Sequence, residues 1–193
     1  MARLYAIVGE MGRARLMLEA RVPYLQLRFK ERPLTPYLRE IAGWAALFPA
    51  TRVIVNDDLA LAGRAGVWGV HLGQEDLQRH SPQALRQTQL ALGISTHSDS
   101  EIGRALRFSP ALLGFGPIFP TGSKDVSNPP QGVGRLREVA AAQSVPIVAI
   151  GGIGEETLDA VTETGVPMVA MIAYLDRFRT ADDLAQLMER MAR

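Results

Sequence analysis

Arg28 and Lys30 lie two residues apart in "LQLRFK". In an extended chain that spacing puts both cations on one side. Two cations on one partly enclosed face are costly unless an anion joins them. The alternative is a strand end with solvated charges, and both readings stand open. Asp57 and Asp58 close "RVIVNDD", and Glu75 and Asp76 close "HLGQED". Mg2+ takes one or two carboxylates and fills its shell with water and phosphate oxygens. An Asp after a strand is also a common helix cap. Hydroxyls and a lysine follow in Thr121, Ser123 and Lys124, and paired glycines in Gly151 and Gly152. Cations, carboxylates, hydroxyls and glycines together suit a phosphorylated substrate with a divalent metal.

The elements that must position these residues are regular. Apolar runs of strand length recur at 4–9, 24–30, 52–57, 69–73, 91–96, 112–118, 146–152 and 168–174. They are rich in Val, Ile and Leu, as strands buried on both faces are. Helical patterns lie between them, at 35–48, 81–89, 98–108, 154–164 and 180–193. Thr35-Pro36 and Ser81-Pro82 are helix starts. Eight strand–helix units predict an α/β fold, a compact (β/α)8 TIM barrel forming one domain over 1–193. Only 10–23 joins the first two strands, so the first helix must be very short. Active sites of such barrels lie where strands end. Those ends also carry Asn56, Gln74, Ser95, Thr96, His97, Ile172 and Ala173.

Composition narrows the function classes. The 193 residues carry a net charge of +1, which gives no reason to expect a nucleic-acid or anionic-membrane partner. Cysteine is absent, which excludes thiol nucleophiles, disulfides and thiolate metal sites. The N-terminal apolar run is too short for a signal peptide, and no stretch has the length of a membrane span, so a cytoplasmic location is expected. Of 21 basic residues only Lys30 and Lys124 are lysines, and both fall at strand ends. His71 lies within a strand and is expected to be packed inside or hydrogen-bonded. His97 follows the fifth strand and can face the pocket. No nucleophile–base pair is evident. The Ser123-Lys124 order is wrong for a P-loop, and no proper dinucleotide fingerprint occurs.

The segment "FGPIFPTGSKDVSNPPQG" holds four of twelve prolines. The β/α rhythm continues on both sides, so it reads as the loop after the sixth strand and not as a domain linker. Its length is near that at which a structureless loop is usually functional or disordered.

Taken together, "LQLRFK", "VNDD…GVHLGQEDL", "LGISTHSDSEI", "GFGPIFPTGSK…PPQG" and "PIVAIGGI" resemble the thiamine-phosphate synthase family over residues 24–173. The resemblance implies a transferase of thiamine biosynthesis on a (β/α)8 barrel. It would join aminohydroxymethylpyrimidine diphosphate to hydroxyethylthiazole phosphate, two phosphorylated small molecules, with Mg2+ as cofactor. The resemblance implies pyrimidine-diphosphate contacts from Gln26, Arg28, Lys30, Asn56, Ser95 and Lys124, of which Arg28, Lys30 and Lys124 would be catalytic. It implies Asp57 and Asp76 as metal ligands. Thr121, Gly122, Ser123, Gly152, Ile172 and Ala173 would hold the thiazole phosphate. The sequence departs from the family where Ser123 stands for a threonine, "IAY" for "ISA" so that Ala173 lacks a hydroxyl, Phe29 for an acidic or aliphatic residue, and where the first strand ends "VGE" and not "TD". The alternatives are a thiazole tautomerase-like isomerase, which typically lacks the metal aspartates, and a non-catalytic barrel that binds thiamine precursors. A Schiff-base aldolase would need a lysine in apolar surroundings. Homo-oligomerisation is left open.

Overall fold

The computed structural model describes residues 1–29, 33–122 and 128–192. Among these, eight parallel strands close into a barrel in sequence order. They are β1 (Arg3–Val8), β2 (Tyr24–Leu27), β3 (Arg52–Asn56), β4 (Gly69–Leu72), β5 (Ala91–Thr96), β6 (Leu112–Phe115), β7 (Ile147–Ala149) and β8 (Met168–Met171). β1 closes the ring, with Tyr5 opposite Tyr24 on one side and Ala170 on the other. Every residue of β2, β4, β6 and β8 is buried. Burial on both faces is why these strands read as continuous apolar runs with no polar alternation. The (β/α)8 expectation therefore holds.

The connecting helices are α1 (Met11–Glu19), α2 (Leu38–Leu47), α3 (Leu59–Ala65), α4 (Gln74–Gln78), α5 (Pro82–Gln87), α6 (Asp99–Leu106), α7 (Gly132–Ala142), α8 (Leu158–Thr162) and α9 (Ala181–Met191). α1, expected to be very short, has nine residues and is longer than α3, α4, α5, α6 and α8, because the connection between β1 and β2 leaves few residues outside it. Side-chain caps start several others. Ser81 accepts from the Ala84 amide, Ser98 from Glu101 and Asp58 from Leu61, each satisfying a donor the first turn leaves unpaired. The helix expected over 154–164 is shorter than its pattern. Thr157 Oγ1 accepts from the Gly154 amide at 2.9 Å, and this turn delays the helix to Leu158. No helix among the described residues is long and apolar enough to cross a membrane.

Two apolar clusters hold the barrel. The larger packs the outer strand faces, such as Leu25, Val55 and Val70, against helical residues such as Leu18, Leu61 and Leu158. The smaller fills the barrel interior with Tyr5, Ile7, Tyr24, Ile54, Leu112, Val148, Met168 and Ala170. At the N-terminal strand ends, the Arg52 guanidinium lies 5.1 Å from the ring centroids of both Tyr24 and Trp68. Tyr24 in turn stacks on Tyr5. Aromatic and aliphatic bulk thus fills the base, leaving the opposite mouth for polar groups.

Candidate active site

A cavity of about 540 Å3 opens at the C-terminal strand ends. Its wall brings together ten of the residues given a substrate or metal role by the family resemblance: Gln26, Arg28, Asn56, Asp57, Asp76, Ser95, Thr121, Gly152, Ile172 and Ala173. Gly122 is exposed beside Thr121 and is not in the wall. Lys30, Ser123 and Lys124 lie outside the described residues. The strand-like runs outlast the strands themselves. Residues 28, 116–118, 150–152 and 172–174 follow the last paired residues of β2, β6, β7 and β8, and supply much of the mouth.

The polar side of the cavity is ordered by one carboxylate. Asn56 donates its side-chain N–H to Asp57 Oδ2, and Gln26 Nε2 donates to Asn56 Oδ1 at 2.6 Å. A carboxylate only accepts, so Asp57 sets the direction of the chain. Gln26 Oε1 is left as a buried acceptor with no partner among the described residues. Gln26 is 2% exposed. An unsatisfied acceptor at such depth is destabilising by about 1–3 kcal/mol. A ligand donor would relieve it.

Cap and ligand readings separate at the aspartates. Asp58 is the cap of α3, and its Oδ1 accepts from the Leu61 amide at 2.8 Å. Asp57 sits at φ 62°, a backbone conformation that is strained for a non-glycine residue. Its amide still bonds to the His71 carbonyl oxygen at 2.9 Å at the end of the ladder, and its side chain lies in the cavity wall. Asp76 does both jobs: it lines the cavity, and its Oδ2 accepts from the Gly73 amide at 3.2 Å at the start of α4. Its other oxygen takes Arg79 at 3.1 Å. No group of three or more His, Cys, Asp or Glu side chains that could hold a metal occurs among the described residues. Two carboxylates at neighbouring strand ends fit Mg2+ completed by phosphate oxygens, and do not fit a cage made of protein alone.

Arg28 faces the same cavity, and no carboxylate pairs with its guanidinium among the described residues. A guanidinium without an ion-pair partner there, in a cleft that Asp57, Glu75, Asp76 and Glu101 also line, can meet an anionic ligand that brings a divalent cation.

The opposite wall is a packed turn. Gly151 has φ 101° and Gly152 φ 66°, and a Cβ on Gly152 would lie 2.6 Å from the Pro120 carbonyl oxygen. Glycine lets the β7 loop lie directly against the β6 loop there. Backbone bonds reinforce that contact, Ile118 N to Ile150 O and Phe119 N to Gly151 O. Further along, the amides of Gln131 and Gly132 bond back to Pro117 and Ile118. The described ends of the proline-rich segment, at 118–119 and 131–132, are therefore both pinned to the barrel mouth, as expected of a connection within the β/α rhythm. Tyr174 packs its ring over Gly154 and donates its hydroxyl to Glu155, which ties the β8 and β7 loops together. That hydrogen bond, then Arg190, holds the Glu155 carboxyl below the usual carboxylate range.

Sequence reasoning left several wall residues without a role. His71 is buried and hydrogen-bonded, as expected, but it also reaches the cavity. Its Nε2 lies 2.9 Å from Ser95 Oγ, and its Nδ1 lies 3.4 Å from the Tyr5 hydroxyl. His97 pairs with Glu101 at 2.9 Å, both in the wall, and their i,i+4 spacing was the available signal. Gln74 donates to the Ser95 carbonyl oxygen at 2.7 Å and fixes the end of β5. Thr96, by contrast, donates to the Gly114 carbonyl oxygen and is fully buried, a bond within the barrel wall.

A closed parallel barrel with a polar mouth defines the class: a (β/α)8 barrel whose candidate site lies at the C-terminal strand ends. The family model for thiamine monophosphate synthase matches residues 5–175, and the chain belongs to that family, whose members are transferases of thiamine biosynthesis. A thiamine-phosphate synthase from Serratia proteamaculans is 40% identical over 175 residues, covering 89% of this chain and 82% of the relative. One from Neisseria meningitidis is 40% identical over 173 residues, covering 88% and 84%. Among solved structures, a thiamine phosphate pyrophosphorylase from Pyrococcus furiosus superposes with a TM-score of 0.79 at 25% identity, covering 98% of this chain and 96% of that one.

Proposed function

We propose that the chain condenses aminohydroxymethylpyrimidine diphosphate with hydroxyethylthiazole phosphate, giving thiamine phosphate and pyrophosphate. The observation that carries this reading is the Gln26–Asn56–Asp57 chain. It presents an oriented acceptor, Gln26 Oε1, deep in the cavity, matching the amino group of the pyrimidine. Arg28 and Ser95 stand beside it for the diphosphate half, and Lys30 and Lys124 complete the set. Thr121, Gly152 and the Ile172–Ala173 backbone in the opposite wall would take the thiazole phosphate, with Gly122 and Ser123 assigned to the same group by the family motif.

The bond between the pyrimidine methylene carbon and the diphosphate oxygen breaks, and the electron pair leaves with pyrophosphate. The methylene carbon then takes the lone pair of the thiazole nitrogen. No proton need be moved for either event. Arg28 offers fixed positive charge where negative charge develops on the departing oxygen. The opposite wall, made firm by the β6–β7 loop packing, would orient the thiazole against the carbon. Asp57 and Asp76 would hold Mg2+, which when bound supplies neutralisation of diphosphate charge. Both carboxylates remain in the wall, which favours transfer over isomerisation without metal.

Incubating the protein with both substrates and Mg2+ should yield thiamine phosphate and pyrophosphate, and EDTA should abolish turnover. Folded protein that makes neither product would overturn this function, and turnover that persists in EDTA would remove Asp57 and Asp76 from the metal role.

A further inference from the structure

We propose that Tyr5 and His71 are positioning residues that oblige the Ser95 hydroxyl to donate a hydrogen bond into the cavity, where it selects an acceptor atom on the pyrimidine diphosphate. The identity of that ligand rests on the function proposed above; the polarity of Ser95 does not.

The three side chains come from β1, β4 and β5 and all line the cavity. The imidazole has a built place. A Cβ on Gly93 would lie 2.7 Å from His71 Nδ1, and one on Gly114 would lie 3.5 Å from its Cε1. Glycines on two neighbouring strands thus leave the space the ring occupies. Tyr5 meets it edge-on, centroids 6.3 Å apart.

A neutral imidazole has one donor nitrogen and one acceptor nitrogen. Which is which follows from Tyr5. Its hydroxyl is buried, and His71 Nδ1 is its hydrogen-bond partner among the described residues. A buried phenol O–H that fails to donate forfeits a bond it made to water. Burial, and then the neighbouring Tyr24, push the Tyr5 pKa well above its ordinary value, so the phenol keeps its proton. Tyr5 therefore donates to Nδ1, and the ring proton sits on Nε2. Nε2–H donates to Ser95 Oγ at 2.9 Å. With one lone pair used, Ser95 has its own proton free to point outward. The opposite polarity, Ser95 donating to Nε2 as an activated nucleophile would, leaves the Tyr5 proton without an acceptor. Gln26, held as an acceptor, and Ser95, held as a donor, then read the two faces of one ligand half.

Long-range 1H–15N NMR of the intact protein near neutral pH tests the polarity directly, with His71 assigned by loss of its signals in His71→Gln. A protonated Nε2 and an unprotonated Nδ1 are expected. Tyr5→Phe, the milder variant because its bond is 3.4 Å long, should move population toward Nδ1–H. An Nδ1–H tautomer in the unaltered protein would overturn the proposal. In kinetics, Ser95→Ala and His71→Leu should each lower kcat/KM on the order of ten- to a hundredfold, the loss of a hydrogen bond to a charged acceptor. The double variant should lose no more than the worse single, because His71 acts through Ser95. Losses that multiply would overturn the positioning role. If the unaltered protein makes no thiamine phosphate, the reaction fails while the imidazole nitrogens still decide the polarity.

Discussion

Arg28 and Asp57 show how two residues of opposite charge serve one ligand. Arg28 faces the cavity without a carboxylate partner among the described residues, so its removal should leave packing nearly untouched. Arg28→Ala is expected to lower kcat/KM on the order of a hundredfold, about 3 kcal/mol of lost charge stabilisation. Its melting temperature should stay close to that of the parent; a large drop would mean the residue is structural. Asp57→Asn is a sharper probe, because Asn tolerates positive φ nearly as well as Asp. Turnover should fall and the Mg2+ concentration needed for half-maximal rate should rise, with thermal stability almost unchanged. An unaltered Mg2+ dependence would take Asp57 out of the metal site. The neighbouring Asp58 is equally eligible in the sequence. What separates them is visible in the fold: Asp58 is spent on the Leu61 amide, and Asp57 is turned into the wall.

At the level of elements, the mouth depends on turns that two short stretches control. The "AIGGIG" turn can be a phosphate cradle or a plain turn, and it has a packing duty in either case. Gly152→Ala would place a methyl 2.6 Å from the Pro120 carbonyl oxygen at φ 66°. It should destabilise the protein by about 1–3 kcal/mol, measured by urea unfolding, through strain and displacement of the β6 loop. Turnover should fall further than stability alone explains. The last helix illustrates a different device. Asp183 accepts the amides of Arg179 and Thr180, while Thr180 Oγ1 accepts from the Asp183 amide. The Arg179 amide first, then Thr180, holds the Asp183 carboxyl below its ordinary pKa. A depressed folded pKa contributes stability above the unfolded value, and that stability is lost as pH falls through the folded value. Asp183→Asn should therefore melt lower than the parent at neutral pH. The gap should close as pH falls below about 4, where the unfolded carboxylate protonates. A gap independent of pH would refute the carboxylate's role at this cap.

For the whole molecule, closure is the event that makes the site. α9 returns to β1, where Ala2 N bonds to Met191 O, and β8 pairs with β1 to seal the ring. Leu25 lies fully buried in the larger cluster outside the strands. Leu25→Ala should destabilise by about 2–5 kcal/mol. In urea titration the midpoint should fall with an unchanged slope, and a changed slope would point to altered cooperativity. Barrel architecture, strand order and the residues at strand ends were legible in the sequence, because parallel strands buried on both faces must be apolar runs and the chain must turn polar where they stop. Arg28, Asp57, Asp76, Ser95 and Gly152 could be placed at one mouth on that ground, whereas Gln26 was implied only by the family resemblance. The polarity of Gln26 and Ser95 could not. Tyr5 and His71 are 66 positions apart, and His71 and Ser95 are 24 apart. Neither pair has a local pattern, since a strand read alone specifies which side a residue faces but not which atom waits across the barrel. Only closure brings those atoms within hydrogen-bond distance, and only there does a buried phenol or carboxylate dictate which neighbour must donate and which must accept.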